Sequence, residues 1–421
     1  MLFSQQLVQS APGDEFWDSA FGTNGFSGYG VGAIALFGNG VVFGGAFNSI
    51  GGITATNIAR WDGTNWSTFG DGLGISLNNG PRALLECQGS LFAAGIFTNA
   101  GPVDARNIAR WDGTNWHALG SGIDRIASAL ATDGSNIYVG GDLRSAGGIP
   151  VLNIAKWDGI EWQALGPGVA GPVFAIAVDS NSVYVGGRFT SAGSVAVTNI
   201  ARWDGTNWHA LGNGLRRING FTPENGTVWS LVYHRGYLYA GGGFWLAGNV
   251  QAVNIARWDG ASWENIGGAA NSVDAFVPNG ADLYVGGSFI NIGGVSARVI
   301  ARWDGSNWSA LGSGMWGGGI LALASTGTEL FAGGDFTGAG DKTSTRIALW
   351  HIPHSLSIQR TGNDLGLSWP STGTNFLLEA TSHLGAPNWQ GVSGTPDIVN
   401  DQCVVTIPLG PGNQFYRLRR R

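Results

Sequence analysis

Charged residues are scarce in this chain of 421 residues: they make up 12% of the sequence, and the only lysines are Lys156 and Lys342. The formal net charge is −6, so the chain lacks the basic face that displaces counterions from a nucleic acid. No apolar run approaches the roughly 20 residues that a membrane-spanning helix needs. The composition therefore argues against nucleic-acid partners and against a membrane span.

Cysteine is equally scarce. Cys87 and Cys403 stand far apart in the chain, without the spacing of a metal or redox site, so we expect both to be small buried hydrophobes. The six histidines also lack metal-ligand spacing, and the sequence predicts neither a metal nor a cofactor. The start, MLFSQQLVQSAPGDEFW, lacks the basic and apolar segments of a signal peptide. The alternatives are a cytosolic protein and an exported one whose signal is absent from this chain.

Glycine, in contrast, is abundant, with 72 residues. Each glycine inside a helix costs about 0.5–1 kcal/mol relative to alanine, so this composition opposes long helices. The chain nevertheless has 43% hydrophobic residues, 19 Trp and 20 Phe, which is enough to bury a large core. We therefore expect a folded all-β protein with many tight turns.

One phrase recurs along the chain. NIARWDGTNW begins at Asn57, variants of it follow further along, and a broken copy, RIALWHIP, begins at Arg346. A glycine-ending apolar run precedes each copy at constant distance, as in Gly45 before Trp61. Each unit reads as four short strands, named a to d here, and units this small must stack on one another to bury their sheet faces. The seven copies predict a seven-bladed β-propeller over residues 1–352.

The last copy lacks strand d and its tryptophan. EFWDSAFGTNG, around Trp17, has the character of the missing strand. We expect this N-terminal strand to complete the seventh blade beside Trp350, which closes the ring and removes an exposed sheet edge. Arg60 and Asp62 recur together as Arg or Lys with Asp in the first six copies and are both lost in the seventh, which predicts a structural pair on one strand face.

These residues resemble the kelch repeat family, which has a Gly-Gly doublet ending strand b, an aromatic residue in strand c and a Trp opening strand d. The resemblance implies a propeller of four-stranded blades, a fold that includes both enzymes and binding scaffolds. The chain departs from it by placing Trp in strand c, where kelch repeats more often carry Tyr. We interpret the paired strand-c and strand-d tryptophans as packing between blades, the alternative being a ring of sugar-stacking platforms.

Residues 355–421 lose the repeat. Segments such as LGLSWP and FLLEAT alternate with turns, which predicts a small antiparallel β-sandwich with Trp369 and Trp389 in its core. It is similar to the fibronectin-III-like or immunoglobulin-like modules that end many secreted bacterial repeat proteins. That resemblance implies an extracellular or cell-surface protein, with the module as a spacer or attachment element.

Irregular loops on the regular scaffold are the predicted binding site. The d–a segments vary in length, whereas the b–c loops do not, and both emerge on one face of a propeller. We predict an aromatic and arginine-lined patch for a protein or glycan on that face. Its candidate residues are Arg216, Arg217, Phe221, Trp245 and Trp316. The alternative is that they pack on neighbouring loops or plug the channel.

Two functions follow from this sequence. The first is a non-enzymatic binding or scaffold propeller, and the second is a propeller-type glycan hydrolase or lyase with carboxylates at the channel mouth. The candidates for the second are Asp142, Asp335 and Asp124; the first two follow Gly-Gly doublets directly. Two carboxyl groups facing each other within about 5–10 Å suit glycosidic chemistry. Of the two functions, the sequence favours the first and assigns no catalytic residue.

Overall fold

The structure is a computed structural model, and it describes residues 11–22, 25–74, 80–219, 222–353, 356–370, 376–384, 388–392, 394–399, 402–410 and 412–420. These residues contain β-strands and a single 3-10 turn, Asp14–Phe16. They form two compact units, one of Met1–Ser325 with Phe331–Trp350 and one of Thr326–Leu330 with His351–Arg421. The predicted all-β class is confirmed.

The repeat folds into antiparallel sheets with the strand order a-b-c-d. Seven such sheets form among the described residues, and the seventh contributes only strands a to c in the repeat itself. The strands of sheets 1 to 4 are Ser27–Phe37, Gly40–Ile50, Ile58–Trp61 and Trp66–Thr68; Pro81–Cys87, Ser90–Gly95, Ile108–Trp111 and Trp116–Ala118; Ala127–Thr132, Ile137–Gly141, Ile154–Trp157 and Trp162–Ala164; and Val173–Val178, Val183–Gly187, Ile200–Trp203 and Trp208–Ala210. Those of sheets 5 to 7 are Thr227–His234, Tyr237–Gly243, Ile255–Trp258 and Trp263–Glu264; Val273–Asn279, Asp282–Gly287, Ile300–Trp303 and Trp308–Ala310; and Ile320–Ser325, Glu329–Gly334 and Ile347–His351.

The b–c loops form short two-stranded hairpins of their own. Their strands are Ile53–Thr54, Asn99–Ala100, Val103–Asp104, Ser145–Ala146, Ile149–Pro150, Ser191–Ala192, Val195–Ala196, Leu246–Ala247, Val250–Gln251, Asn291–Ile292, Val295–Ser296, Gly338–Ala339 and Lys342–Thr343. Three further strands, Leu215–Asn219, Thr222–Asn225 and Met315–Trp316, belong to d–a segments. Leu215–Asn219 pairs with Leu246–Ala247, and Met315–Trp316 pairs with Gly338–Ala339. These two d–a segments are thus tied to the b–c loops beside them.

The N-terminal segment completes the seventh sheet. Trp17 forms an antiparallel bridge with Trp350, and the Asp18 N–H donates to the Leu349 carbonyl at 2.8 Å. The Trp17 and Trp350 ring centroids lie 4.9 Å apart, and Trp17 is buried. Strand a of each sheet contacts strand a of the next, and strand a of the seventh contacts strand a of the first. The expected position of Trp17 beside Trp350 is confirmed, and the described sheets form a closed circuit.

The paired tryptophans pack sheet against sheet, as predicted. Trp61 lies directly opposite Trp66 on strands c and d. The strand-d indole N–H donates to a backbone carbonyl of the preceding sheet in the bonds Trp116–Phe69, Trp162–Leu119, Trp208–Leu165, Trp263–Leu211 and Trp308–Ile266. Trp17 makes the equivalent bond to Leu311 at 3.3 Å. The N-terminal tryptophan therefore replaces the missing strand-d residue in its hydrogen bonding as well as in its position.

Each glycine of the strand-b doublet lies where a neighbouring strand approaches its backbone closely. A Cβ on Gly44 would lie 2.6 Å from Pro81 in the next sheet, and a Cβ on Gly45 would lie 2.2 Å from the Gly30 carbonyl oxygen on strand a. The first glycine therefore permits close packing between sheets, and the second permits close approach of strands a and b.

The asparagine that opens each NIARW copy joins two loops. Asn57, Asn107, Asn153, Asn199 and Asn254 all have φ between 62° and 65°, a left-handed conformation that Asn adopts more readily than most residues. In each, Oδ1 accepts a backbone N–H from the b–c loop at 3.1–3.2 Å and Nδ2 donates to a carbonyl in the d–a segment at 2.7–3.0 Å. This asparagine joins the two loops in each of the first five sheets.

The predicted pairing of Arg60 with Asp62 is not the main contact of either residue. Asp62 Oδ1 accepts the backbone N–H groups of Thr64 and Asn65 at 2.8 and 2.7 Å, and these bonds hold the pKa of Asp62 below its ordinary value. Arg60 instead donates to Asn39 on the neighbouring a–b turn. The prediction failed because a short Asp side chain at a turn bonds the backbone that follows it.

The second unit contains two antiparallel sheets among its described residues. One has the strands Ser357–Thr361, Asp364–Pro370, Gln402–Pro408 and Asp397–Val399, and the other has Gln390–Gly391, Phe376–Thr381 and Phe415–Arg420. One hydrophobic cluster takes Leu367 and Trp369 from the first sheet and Leu378 from the second. Cys403 of this unit and Cys87 of the first unit are both buried, as predicted. Trp389, expected in this core, instead lies half-buried beneath the guanidinium of Arg417, 4.2 Å from the ring centroid.

Candidate functional site

Strand a carries a β-bulge near its start in sheet after sheet. The pairing of strand a with strand b shifts between Val31 and Ala33 in the first sheet, and at the equivalent place in sheets 2 to 6. In each sheet the residue between the two is accessible, and its neighbours are buried except for Ala83 in the second sheet, which is half-buried. We call these the bulge residues: Gly32, Arg82, Ser128, Phe174, Trp229, Asp274 and, at the same position in the seventh sheet, Leu321. A bulge re-aims one side chain without breaking the sheet.

All seven bulge residues line one cavity of about 700 Å³, which we call the channel cavity. Its other lining residues are Tyr29, Gly30, Gly45, Ala46, Gly80, Pro81, Ile96, Ser272 and Asp335. Because strand a of every sheet reaches it, the cavity lies at the centre of the ring. It lies where strands a begin and strands b end, which is the predicted d–a/b–c face. Its volume falls within the roughly 300–1,000 Å³ typical of small-ligand sites.

One side of the channel cavity is aromatic. Phe174 and Trp229 come from adjacent sheets and stack with ring centroids 4.7 Å apart and planes at 29°. Trp229 remains 40% exposed and Leu321 48% exposed, and Tyr29 is also exposed. Large apolar side chains that are accessible together in a concave site are typical of a binding surface.

Charged groups of both signs line the same cavity. Burial raises the pKa of the Asp274 carboxyl to about 6, although a hydrogen bond from the Ser272 hydroxyl at 3.0 Å lowers it in part. Asp335 is exposed, and its Oδ1 accepts the Gly319 N–H at 2.6 Å. Arg82 is exposed and forms neither a hydrogen bond nor an ion pair within the part of the chain that the structure describes. The cavity therefore offers both hydrogen-bond donors and acceptors.

Two residues of the predicted loop patch lie close together. The Trp245 N–H donates to the Arg216 carbonyl at 2.8 Å, and Arg216 Nη2 donates to the Gly248 carbonyl at 2.7 Å. The Arg217 side chain is exposed. Trp316 lies in the d–a segment before the seventh sheet, where its indole N–H donates to the Gly340 carbonyl at 3.3 Å. Phe221 lies outside the described residues.

The two tryptophans of the predicted loop patch are accessible, but they lie outside the cavity that the bulge residues line. Trp245 is 47% exposed and Trp316 is 45% exposed. Neither lines the channel cavity.

The three aspartates predicted at the channel mouth separate in the structure. Asp335 lines the channel cavity, whereas Asp142 pairs with Arg125 at 2.8 Å. Asp124 Oδ1 accepts the backbone N–H groups of Arg144 and Ser145, each at 3.0 Å. Asp142 and Asp124 therefore have structural partners, and the acid that accompanies Asp335 in the cavity is Asp274.

The bulge residues were not predicted from the sequence. Aligning the repeats on the glycine that ends strand b reveals them, since the strand-a triplets then read VGA, PRA, ASA, VFA, VWS, VDA and ILA. The middle position varies in every unit while its neighbours stay small or apolar. A position that varies between two uniform ones in a repeat is typical of a site for specific recognition.

The described residues contain no group of three or more His, Cys, Asp or Glu side chains placed to hold a metal ion. Nor do they contain a helix long and apolar enough to cross a membrane.

No family model and no curated protein matches this chain. Among solved structures, the computationally designed Ika8 protein is similar over 79% of this chain and 98% of its own, at 15% identity and a TM-score of 0.45. Sqt1 of Saccharomyces cerevisiae covers 80% of this chain and 100% of its own, at 14% identity and a TM-score of 0.48. A catalytically inactive virginiamycin B lyase from Staphylococcus aureus, solved with quinupristin, covers 77% and 95%, at 11% identity and a TM-score of 0.47. Similarities this distant do not inform the function of this chain.

Proposed function

We propose that the first unit is a seven-bladed, kelch-like β-propeller closed by its N-terminal strand. The support is the series of sheets with strand order a-b-c-d, the contacts between successive a strands, and the bridge between Trp17 and Trp350. The second unit is a small sandwich of the fibronectin-III or immunoglobulin kind that serves as a spacer or attachment module. Its support is the cluster shared by its two sheets. The protein acts at the cell surface or outside the cell.

The function of this propeller is to bind a protein or glycan on its d–a/b–c face, without catalysis. One observation carries this proposal: the seven bulge residues are of seven different types and share one cavity, whereas the positions beside them are all small or apolar and, apart from the half-buried Ala83, buried. A scaffold needs only the uniform positions. Side chains that differ from blade to blade at an open, partly apolar site provide specificity for a ligand.

The test compares ligand binding by variants of the cavity, of the loop patch and of an exposed control position. A thermal-shift screen of oligosaccharides and peptides first identifies a probe that stabilises the wild-type chain. We expect the shift to disappear in the double variant Arg82→Ala/Trp229→Ala. The exposed Ile160, on a c–d turn, gives the control Ile160→Ala, which should keep the shift. Loss of the shift in Trp245→Ala/Trp316→Ala, with the cavity variant unaffected, would move the site to the loop patch.

A glycan hydrolase or lyase is the second candidate. The observation in its favour is that Asp274, whose pKa is raised to about 6, lines the same cavity as Asp335. A carboxyl group with a raised pKa is typical of a general acid, and glycosidases pair such an acid with a second carboxyl group. Incubating the chain with the identified glycan decides between the two functions. Recovery of the intact glycan supports binding, and cleavage that is lost in Asp274→Asn supports the enzyme.

A further inference from the structure

We infer that the channel cavity binds a neutral saccharide, with Trp229 as the surface on which one sugar ring stacks. This inference rests on the proposed binding function and narrows it to one class of ligand. It follows from the aromatic pair, from the balance of charged groups and from the shape of the site.

The aromatic pair supplies a flat apolar surface that is already ordered. Phe174 packs against Trp229 with planes at 29°, yet 40% of Trp229 remains accessible. A pyranose ring carries C–H groups on one face and directs its hydroxyls outward. Stacking that face on an indole removes apolar surface from water on both sides and leaves the hydroxyls free to bond.

The charged groups select against a charged ligand of either sign. An anionic ligand that pairs with Arg82 would also meet the carboxylates of Asp274 and Asp335, and a cationic ligand would meet the guanidinium of Arg82. A hydroxyl group both donates and accepts hydrogen bonds. It can therefore accept from Arg82, which only donates, and donate to Asp335, which only accepts when ionised. A neutral polyhydroxylated ligand satisfies both.

The polar groups of the site retain hydrogen-bonding capacity that no described residue uses. Arg82 has no partner among the residues that the structure describes, and the Asp335 carboxylate accepts a single N–H, from Gly319. Ser128 adds a hydroxyl from the third sheet. Polar groups in a partly apolar site that retain unused donors and acceptors fix the orientation of a bound ligand.

The size and accessibility of the cavity fit a short oligosaccharide. Its volume of about 700 Å³ exceeds the space that a single sugar ring needs. Two of its lining side chains, Tyr29 and Leu321, are 64% and 48% exposed, so the cavity is accessible from solvent. A chain end can therefore enter while the remainder of the saccharide extends outward.

The experiment presents the full chain to an array of neutral oligosaccharides, uronate-containing oligosaccharides and basic and acidic peptides. Calorimetry then measures the affinity of the tightest neutral saccharide. We expect Trp229→Ala to weaken binding about tenfold or more, because an aromatic stack contributes beyond its area. Trp229→Phe should keep affinity within about threefold of wild type. Trp245→Ala and Trp316→Ala, which remove tryptophans of similar exposure outside the cavity, should bind as the wild type does.

The possible outcomes separate this inference from the function on which it rests. If only charged glycans or peptides bind, and Trp229→Ala abolishes that binding, the saccharide inference is overturned while the binding function stands. If no probe depends on the bulge residues, both fail. If a neutral saccharide binds equally to wild type and Trp229→Ala, the stacking role is overturned. Matching circular-dichroism spectra and melting temperatures confirm that each variant is folded.

Discussion

At the scale of single residues, one asparagine in each of the first five repeats determines how the two loops of a sheet meet. Asn199 has φ of 65°, and its side chain bonds Phe189 on one loop and Leu215 on the other. The sixth repeat has Val299 at the same place, with φ of 59°. A β-branched residue is strained in this conformation and offers no hydrogen bond, so the sixth repeat lacks the device that the first five share.

Val299→Asn should therefore stabilise the protein. The new side chain can accept the Phe289 N–H and donate to the Met315 carbonyl, as its counterparts do in the other repeats. Relief of strain and two hydrogen bonds, less the lost apolar burial, give an expected gain of about 1 kcal/mol in the free energy of unfolding. Urea denaturation measures it. The reverse change, Asn199→Val, is the control and should cost at least about 2 kcal/mol; a loss of stability in Val299→Asn would contradict this role for asparagine.

Asp274 gives a prediction about pH. Its folded-state pKa of about 6 lies above the ordinary value of 3.8, because burial disfavours the charged form. The folded state therefore binds more protons than the unfolded state between about pH 4 and pH 6, and the contribution of Asp274 to stability falls as pH rises through that window. The Asp274→Asn variant has no carboxyl group to ionise at this position, so it does not lose stability in this way. Relative to wild type it should gain stability from pH 4 to pH 7, by at most about 3 kcal/mol.

Urea denaturation of both proteins at pH 4, 5, 6 and 7 checks this. The difference between the two curves removes the contribution of the other carboxyl groups. A difference that stays constant with pH would show that the Asp274 carboxyl titrates as it does in water.

At the scale of elements, the N-terminal segment holds the ring closed. Trp17 is buried, packs edge-to-face against Trp350 and donates its indole N–H to the carbonyl of Leu311, just after strand d of the sixth sheet. Asp14 adds a hydrogen bond from the Ser313 N–H at 2.7 Å, and Lys342 donates to the Asp14 carbonyl at 2.9 Å. One short segment thus joins the sixth and seventh sheets and covers an edge that would otherwise be open to pairing.

Trp17→Ala should cost about 3–5 kcal/mol, the usual cost of removing a buried tryptophan. It should also promote aggregation, because the edge of the seventh sheet becomes accessible. Urea denaturation and light scattering report the two effects. Trp316→Ala serves as the matched control, since Trp316 is 45% exposed in the same unit, and its cost should be much smaller. Equal costs for the two variants would argue against a closing role for Trp17.

At the scale of the whole molecule, the sequence predicts the architecture better than the site. The constant spacing of Gly45 and Trp61, repeated down the chain, predicts strands b and c, and the missing strand d predicts Trp17 beside Trp350. Both predictions depend on sequence features that lie within one repeat or recur in every repeat. The prediction that Trp389 lies in the core was wrong, because the long side chain of Arg417, and not the core, covers its ring.

The channel cavity could not be found in the same way, because it exists only when the ring closes. Arg82, Phe174 and Asp274 come from three repeats and meet only at the centre of seven sheets. Within one repeat, each is a single accessible residue at a bulge, and the bulge breaks the simple alternation from which faces are assigned. The variation of that position between repeats was visible in the sequence. Its direction into a common cavity depends on the whole fold.

The central claim is that strand a turns one residue of every sheet into an open cavity while the residues beside it, apart from the half-buried Ala83, stay buried. Cysteine labelling tests it most directly, with Gly32→Cys and Ser128→Cys as the test sites and Ala33→Cys and Ala129→Cys as the buried controls. A Cβ on Gly32 meets no atom within 4 Å, so that change is accommodated. We expect rapid maleimide labelling at 32 and 128, and protection at 33 and 129 comparable to that of the two native buried thiols. Slow labelling at 32 and 128, or fast labelling at 33 and 129, would contradict the account.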